Sequence, residues 1–145
     1  MHGSGYNLYN QMQHRANQEA QDCLLRAAEA LSGSAESVLI ADYGSSASAN
    51  SALLLAPVVQ CLAAKQKVSI TVAHVDLPEN DWQGLQEATQ SREGTYLQMA
   101  PDVNSQACAQ SFYSQCFPAA SVSLAWSAPC ITSLTSSAGV GDQWQ

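Results

Sequence analysis

Between Gln18 and Leu31, apolar residues recur at three- and four-residue steps (Ala20, Cys23, Leu24, Ala27, Ala28, Leu31), the spacing that lines one face of a helix. Ser32-Gly33-Ser34 ends that pattern, and the period then changes. Ser37-Val38-Leu39-Ile40-Ala41-Asp42-Tyr43 is a short continuous apolar run, as expected of a strand buried in a parallel sheet, and it stops at Gly44 in a Ser/Ala-rich loop. Asn50 or Ser51 is placed to cap the next helix, Ser51 to Lys65, within which Pro57 implies a kink or a late start. Lys67 to Val75 is dense in β-branched residues and reads as a second strand ending at Asp76-Leu77-Pro78, followed by a helix from Asp81 to Gln90. After Gly94 the periodicity loosens. Ser111-Phe112-Tyr113 precedes an expected short turn of helix reaching Phe117-Pro118, and Val122 to Ala128 reads as a further strand. The Ser/Thr/Gly composition past Pro129 predicts a loose tail over 136–145.

Alternating strands and helices of this kind define an α/β fold, a partial Rossmann-like sheet of about four mostly parallel strands with flanking helices joined by right-handed crossovers. The 145 residues suffice for one folding unit, expected over 1–135, and 46% hydrophobic residues suffice for its core. Five basic residues against twelve acidic ones give a net charge of -7, and the basic residues are scattered, so a nucleic-acid surface has no electrostatic support. No apolar stretch approaches the roughly 20 residues of a membrane span. Five cysteines without C-x-x-C spacing point to reduced thiols and a cytoplasmic protein rather than a disulfide framework or a zinc site.

Candidate chemistry concentrates where such sheets bind ligands, beyond the carboxyl ends of the strands. Asp42-Tyr43-Gly44-Ser45-Ser46 lies at the first of these ends. With Gly44 alone, the loop lacks the G-x-G-x-x-G of a pyrophosphate cradle, which counts against a nicotinamide-dependent oxidoreductase and leaves room for a ligand with amino and carboxylate groups. Asp76, at the second strand end, is placed to accept hydrogen bonds from two ribose hydroxyls. Aspartate after a strand serves equally well as a turn or helix cap, so pattern alone leaves the two readings level.

The motifs add a resemblance. The run Ile40 to Ser51 (I-A-D-Y-G-S-S-A-S-A-N-S) resembles the I-A-D-L-G-C-S-S-G-P-N-T of the plant SABATH methyltransferases, and His74 to Trp82 (H-V-D-L-P-E-N-D-W) resembles their N-D-L-P-x-N-D-F. Tyr6 to Gln13 is similar to the family's opening Y-x-x-N-S-x-x-Q, and Ser111 to Pro118 to its S-F-Y-x-R-L-F-P, in the same order. The resemblance implies S-adenosylmethionine as cofactor, contacted at Tyr6, Ser45 (cysteine in the family), Asn50, Asp76, Leu77, Ser111, Phe112 and Ala128, and Asp42 and Gly44 in the loop at the first strand end are cofactor-binding candidates beside them. It places Asp76 on the ribose, Phe112 beside the adenine, and Gln13 where a glutamine orients the acceptor. It further implies transfer of a methyl group to a carboxylate, or a ring nitrogen, of a small molecule. Such chemistry relies on positioning, with no Ser-His-Asp or hydrolytic metal set expected.

Two departures qualify that expectation. Where the family has the acceptor wall S-S-Y-S-L-H-W-L-S, this chain has Ser127 to Thr135, so Pro129, Thr132 and Ser133 stand in place of tyrosine, histidine and tryptophan, and a benzoate-type acceptor loses its pocket. Family members are also roughly two and a half times as long, allowing a helical cap and a magnesium-associated region that find no match here. These departures lead us to expect a truncated or degenerate copy. The alternative is a non-catalytic module that keeps the fold and pairs through the strand at Val122 to Trp126 as a homodimer. The remaining residues read as structural. His2, His14 and His74 are too dispersed for a metal site, with His74 packed or solvated at a strand end; Cys61 and Trp126 belong to the core, Cys116 lacks a neighbouring histidine, and Trp82 covers the sheet edge or the adenine side.

Overall fold

The computed structural model describes residues 3–31, 36–65 and 68–127, with side chains from residue 15 onward. In chain order the elements are helix α1 (Gly3–Ala30), strand β1 (Ser37–Tyr43), helix α2 (Asn50–Ala63), strand β2 (Ser69–Asp76), helices α3 (Trp82–Ser91) and α4 (Tyr96–Met99), and strands β3 (Asn104–Ala109) and β4 (Leu124–Ser127). The four strands form one sheet in the order β3-β2-β1-β4, and every pairing is parallel. Strand β1 therefore sits inside the sheet, and its carboxyl end lies between those of β2 and β4.

Side-chain alternation decides which strand residues enter the core. Val38 and Ile40 of β1, Ile70 and Val72 of β2, and Leu124 of β4 share one face, as the register requires, and they pack against Leu24 and Ala28 of α1, most of α2, and Tyr96 of α4. Leu55, Val58 and Val59 at the centre of α2 are wholly inaccessible. Cys61 and Trp126 pack, partly buried, against this core, where the sequence places them. Toward the carboxyl ends the same face turns polar at Asp42 and His74, which are register partners.

Several boundaries differ from expectation, each for a physical reason. Helix α1 begins at Gly3 rather than near Gln18: its first half has no apolar stripe to reveal it, but extending an existing helix gains one hydrogen bond per residue without a new nucleation cost. Neither Asn50 nor Ser51 caps α2; the cap position is Ala49, and no side chain bonds the first amides. Pro57 lies inside α2 without ending it, and next to the carbonyl deprived of its donor, Leu54 accepts a hydrogen bond from Gln21 of α1 (2.9 Å). Strand β3 has no counterpart in the hydrophobic pattern, because it is an exposed edge strand of polar sequence, Asn-Ser-Gln-Ala-Cys-Ala. The expected helical turn after Tyr113 is absent; a single turn closes instead at Ser111 to Ser114 (3.0 Å). The expected strand at Val122 to Ala128 is seen as Leu124–Ser127, and Ala128, Pro129, Thr132, Ser133 and the tail 136–145 lie outside the described residues.

Candidate functional site

The loop after β1 is folded onto the end of β2 by main-chain hydrogen bonds. The Gly44 and Ser45 amides both donate to the Val75 carbonyl (2.8 and 3.3 Å), and Gly44 has φ 75°, a left-handed conformation that favours glycine at this turn. Ser46 is also left-handed, with φ 57°, and its amide donates to Asp76 Oδ2 (2.7 Å). The Leu77 amide donates to Asp76 Oδ1 (2.8 Å), and Asn80 Nδ2 donates to the Ser46 carbonyl (3.2 Å). Asp76 thus joins two loops at adjacent strand ends. A carboxylate has about four lone-pair directions, so two backbone donors leave capacity on both oxygens for a ligand diol.

The chain leaves Asp76 through an exposed apolar residue. Leu77 is 52% exposed, and Ser111 and Phe112, at the end of β3, are half-buried. Phe112 and Tyr113 stack obliquely, ring centroids 4.9 Å apart, while Tyr43 meets Phe117 edge-on at 6.3 Å. Tyr43, Phe112, Tyr113, Cys116, Phe117 and Val122 line an open apolar cavity of about 620 Å³. Burial, followed by the neighbouring Cys116 and Cys108 thiols, raises the Tyr43 hydroxyl above its ordinary value; burial and Cys108 do the same to Cys116. A raised thiol pKa disfavours the thiolate, so Cys116 has none of the environment of a nucleophile.

A set of hydrogen-bonded polar residues that no motif in the sequence connects runs across the sheet from β1 to β3. Asp42 is 0% exposed, and its Oδ2 is 2.7 Å from His74 Nδ1. His74 Nε2 is 2.7 Å from the Tyr96 hydroxyl, which is 2.6 Å from Ser105 Oγ. Burial pushes Tyr96 up to about 12, with the Ser105 hydrogen bond lowering it and the charge of Asp42 raising it, so the phenol is a proton donor at neutral pH. His74 is packed, as one of its sequence readings held, but against a carboxylate and a phenol. The equal distances of Asp42 and His74 from the strand ends expected at Tyr43 and Val75 are the available signal for the first contact; nothing local in the sequence points to Tyr96 or Ser105.

Two buried polar atoms at the end of β1, Asp42 Oδ1 and Ser45 Oγ, have no hydrogen-bond partner among the described residues. A third, Trp82 Nε1, belongs to a smaller cavity of about 350 Å³ against β2 and β3 that His74 and Ser105 also line, which places Trp82 at the sheet edge. The site residues expected from sequence divide accordingly. Asp42, Gly44, Ser45, Asp76 and Leu77 gather at the β1 and β2 ends, Asn50 opens the uncapped first turn of α2, and Ser111 and Phe112 stand at the β3 end. Tyr6 and Gln13 lie in α1, but their side chains, like Ala128 and the expected acceptor residues, are outside the described set.

Comparison with known proteins decides the family. The family model described as SAM dependent carboxyl methyltransferase matches residues 1–138. The chain belongs to that family. S-adenosylmethionine is the family's cofactor, and the SABATH resemblance is borne out. Among solved structures, the fold is similar to loganic acid methyltransferase with S-adenosylhomocysteine, with a TM-score of 0.63 and 20% sequence identity. That match covers 79% of this chain and 34% of the other, so the chain spans about a third of the length of its structural relative. A search of curated proteins finds no match.

Proposed function

We propose that this methyltransferase-family chain binds S-adenosylmethionine at the carboxyl ends of β1, β2 and β3, as the cofactor-binding part of an enzyme that methylates a carboxylate, or a ring nitrogen, of a small molecule. The observation that carries the reading is Asp76: it stands at the strand end where a ribose diol is received, fixed by the Ser46 and Leu77 amides, with acceptor capacity remaining. Leu77 and Phe112 would flank the adenine, and Asn50 with the uncapped amides of α2 would face the amino-acid end, where a helix N-terminus favours a carboxylate. The buried, unpartnered Asp42 Oδ1 and Ser45 Oγ fit a ligand rich in donors. When bound, the cofactor supplies an activated methyl group on a sulfonium. The residues of this chain contribute orientation and exclusion of water, which is what direct transfer to an already nucleophilic carboxylate requires.

Gln13, Pro129, Thr132 and Ser133 are assigned to the acceptor side, with the folding unit extending over 1–135. Pro129, Thr132 and Ser133 supply no aromatic sandwich for a flat acid, which favours an acceptor other than a benzoate type. Titration calorimetry with S-adenosylhomocysteine tests the cofactor reading. Saturable binding that Asp76→Ala weakens by about 10- to 100-fold, the worth of one or two hydrogen bonds to a charged group, supports it. Absence of heat at millimolar ligand from a folded sample would sink it. A second reading, a non-catalytic module that pairs with a second copy, draws on β4, a four-residue strand that pairs with β1 and stands last in the strand order of the described residues.

A further inference from the structure

A hydrogen-bonded series runs from Ser105 on the exposed edge strand through the buried Tyr96 and His74 to the buried Asp42, spanning β3, α4, β2 and β1, and nothing in the proposed transfer chemistry calls for it. One proton arrangement satisfies each link: Ser105 donates to the Tyr96 oxygen, Tyr96 to His74 Nε2, and His74 Nδ1 to Asp42 Oδ2. The His74 and Tyr96 rings lie nearly parallel (25°, centroids 5.9 Å apart), so the imidazole is fixed by packing as well as by both nitrogens. The carboxylate of Asp42 is therefore held by one oxygen. Its other oxygen is buried and receives no donor among the described residues.

An unpaired carboxylate oxygen in a dry interior is costly, and no lysine or arginine among the described residues supplies the missing cation. Lys65 is occupied by the Ala28, Glu29 and Leu31 carbonyls, Arg26 by Cys23 Sγ, and Arg15 and Arg92 are exposed on the surface. The site is one residue from the carboxyl end of β1, where the cofactor is proposed to lie, and of the two cationic groups of that cofactor only the ammonium carries N–H donors. We propose that His74, braced by Tyr96 and Ser105, is a positioning residue that turns Asp42 so that its second oxygen meets the ammonium group of the cofactor's amino-acid end. This rests on the cofactor reading above. Because the oxygen is covered by protein, the ligand reaches it as the neighbouring segment yields, and that segment is held by the hydrogen bonds to Val75, Asp76 and Asn80 already described.

Two ligands separate positioning from a merely structural role. S-adenosylhomocysteine carries the ammonium, whereas 5′-methylthioadenosine keeps the adenosine and thioether but lacks the amino-acid group. On the full chain, His74→Leu should weaken S-adenosylhomocysteine by about tenfold or more, the scale of a charge-assisted hydrogen bond, and leave 5′-methylthioadenosine within about twofold. His74→Asn, whose amide nitrogen falls near the place of Nδ1, should recover most of the loss. Tyr96→Phe, which keeps the ring and removes only the hydroxyl, should show a smaller loss with the same selectivity, and it decides the matter if His74→Leu does not fold. Equal losses for both ligands, or no loss for either, overturn the positioning role and leave the cofactor reading standing. A wild-type chain that binds neither ligand overturns both.

Discussion

Tyr96 shows how one side chain serves both packing and polarity. It is fully buried in the core, yet its hydroxyl bonds His74 and Ser105, and burial holds its proton up to a pKa of about 12 against 10.0 in the open chain. Below pH 10 both folded and unfolded tyrosine are protonated, and the stability is fully present. Between pH 10 and 12 the unfolded chain releases the proton and the folded chain does not, so stability falls as pH rises, by about 2 to 3 kcal/mol at the upper end. Urea midpoints measured across pH 9 to 12 should show this decline, and Tyr96→Phe should remove this component from it. Asp76 illustrates a residue whose position is partly legible. Its place after a β-branched run marks a strand end, but only the fold reveals that Ser46 and Leu77 amides fix it there rather than a helix cap; the cap of α3 is Asp81, which accepts from the Gly84 amide.

The elements are tied by contacts between parts distant in sequence. Lys65 Nζ, just beyond α2, donates to the carbonyls of Ala28, Glu29 and Leu31 (2.6, 2.9 and 3.1 Å), which caps the end of α1 with a cation at the negative end of its dipole. Lys65→Met keeps most of the stem and removes the donors, and a loss of about 1 to 2 kcal/mol in urea denaturation is expected. An unchanged midpoint would show that water replaces the ammonium at no cost. Strands β1 and β2 were readable because an interior strand must be apolar on both faces. Strand β3 was not, since an edge strand needs no such pattern, and the hydrogen bonds that create it come from β2, about thirty residues earlier.

At the scale of the molecule, one apolar layer holds the described structure together: α1, α2 and α4 pack on a single face of the four-stranded sheet. Leu55 is wholly buried at its centre, and Leu55→Ala should cost about 2 to 5 kcal/mol, lowering both the thermal midpoint and the denaturant midpoint together if the layer unfolds as one unit. Separate transitions for helix content and for tryptophan fluorescence would contradict that single unit. The sequence by itself determined the α/β class, the β1-α2-β2-α3 order and the family, because hydrophobic period and loop motifs are local properties written residue by residue. The tertiary structure alone decided the edge position of β3, the placement of Asp76 between two loops, and the line from Ser105 through Tyr96 and His74 to Asp42. Those depend on parallel register, which sets residues some thirty positions apart side by side at a distance no local pattern encodes.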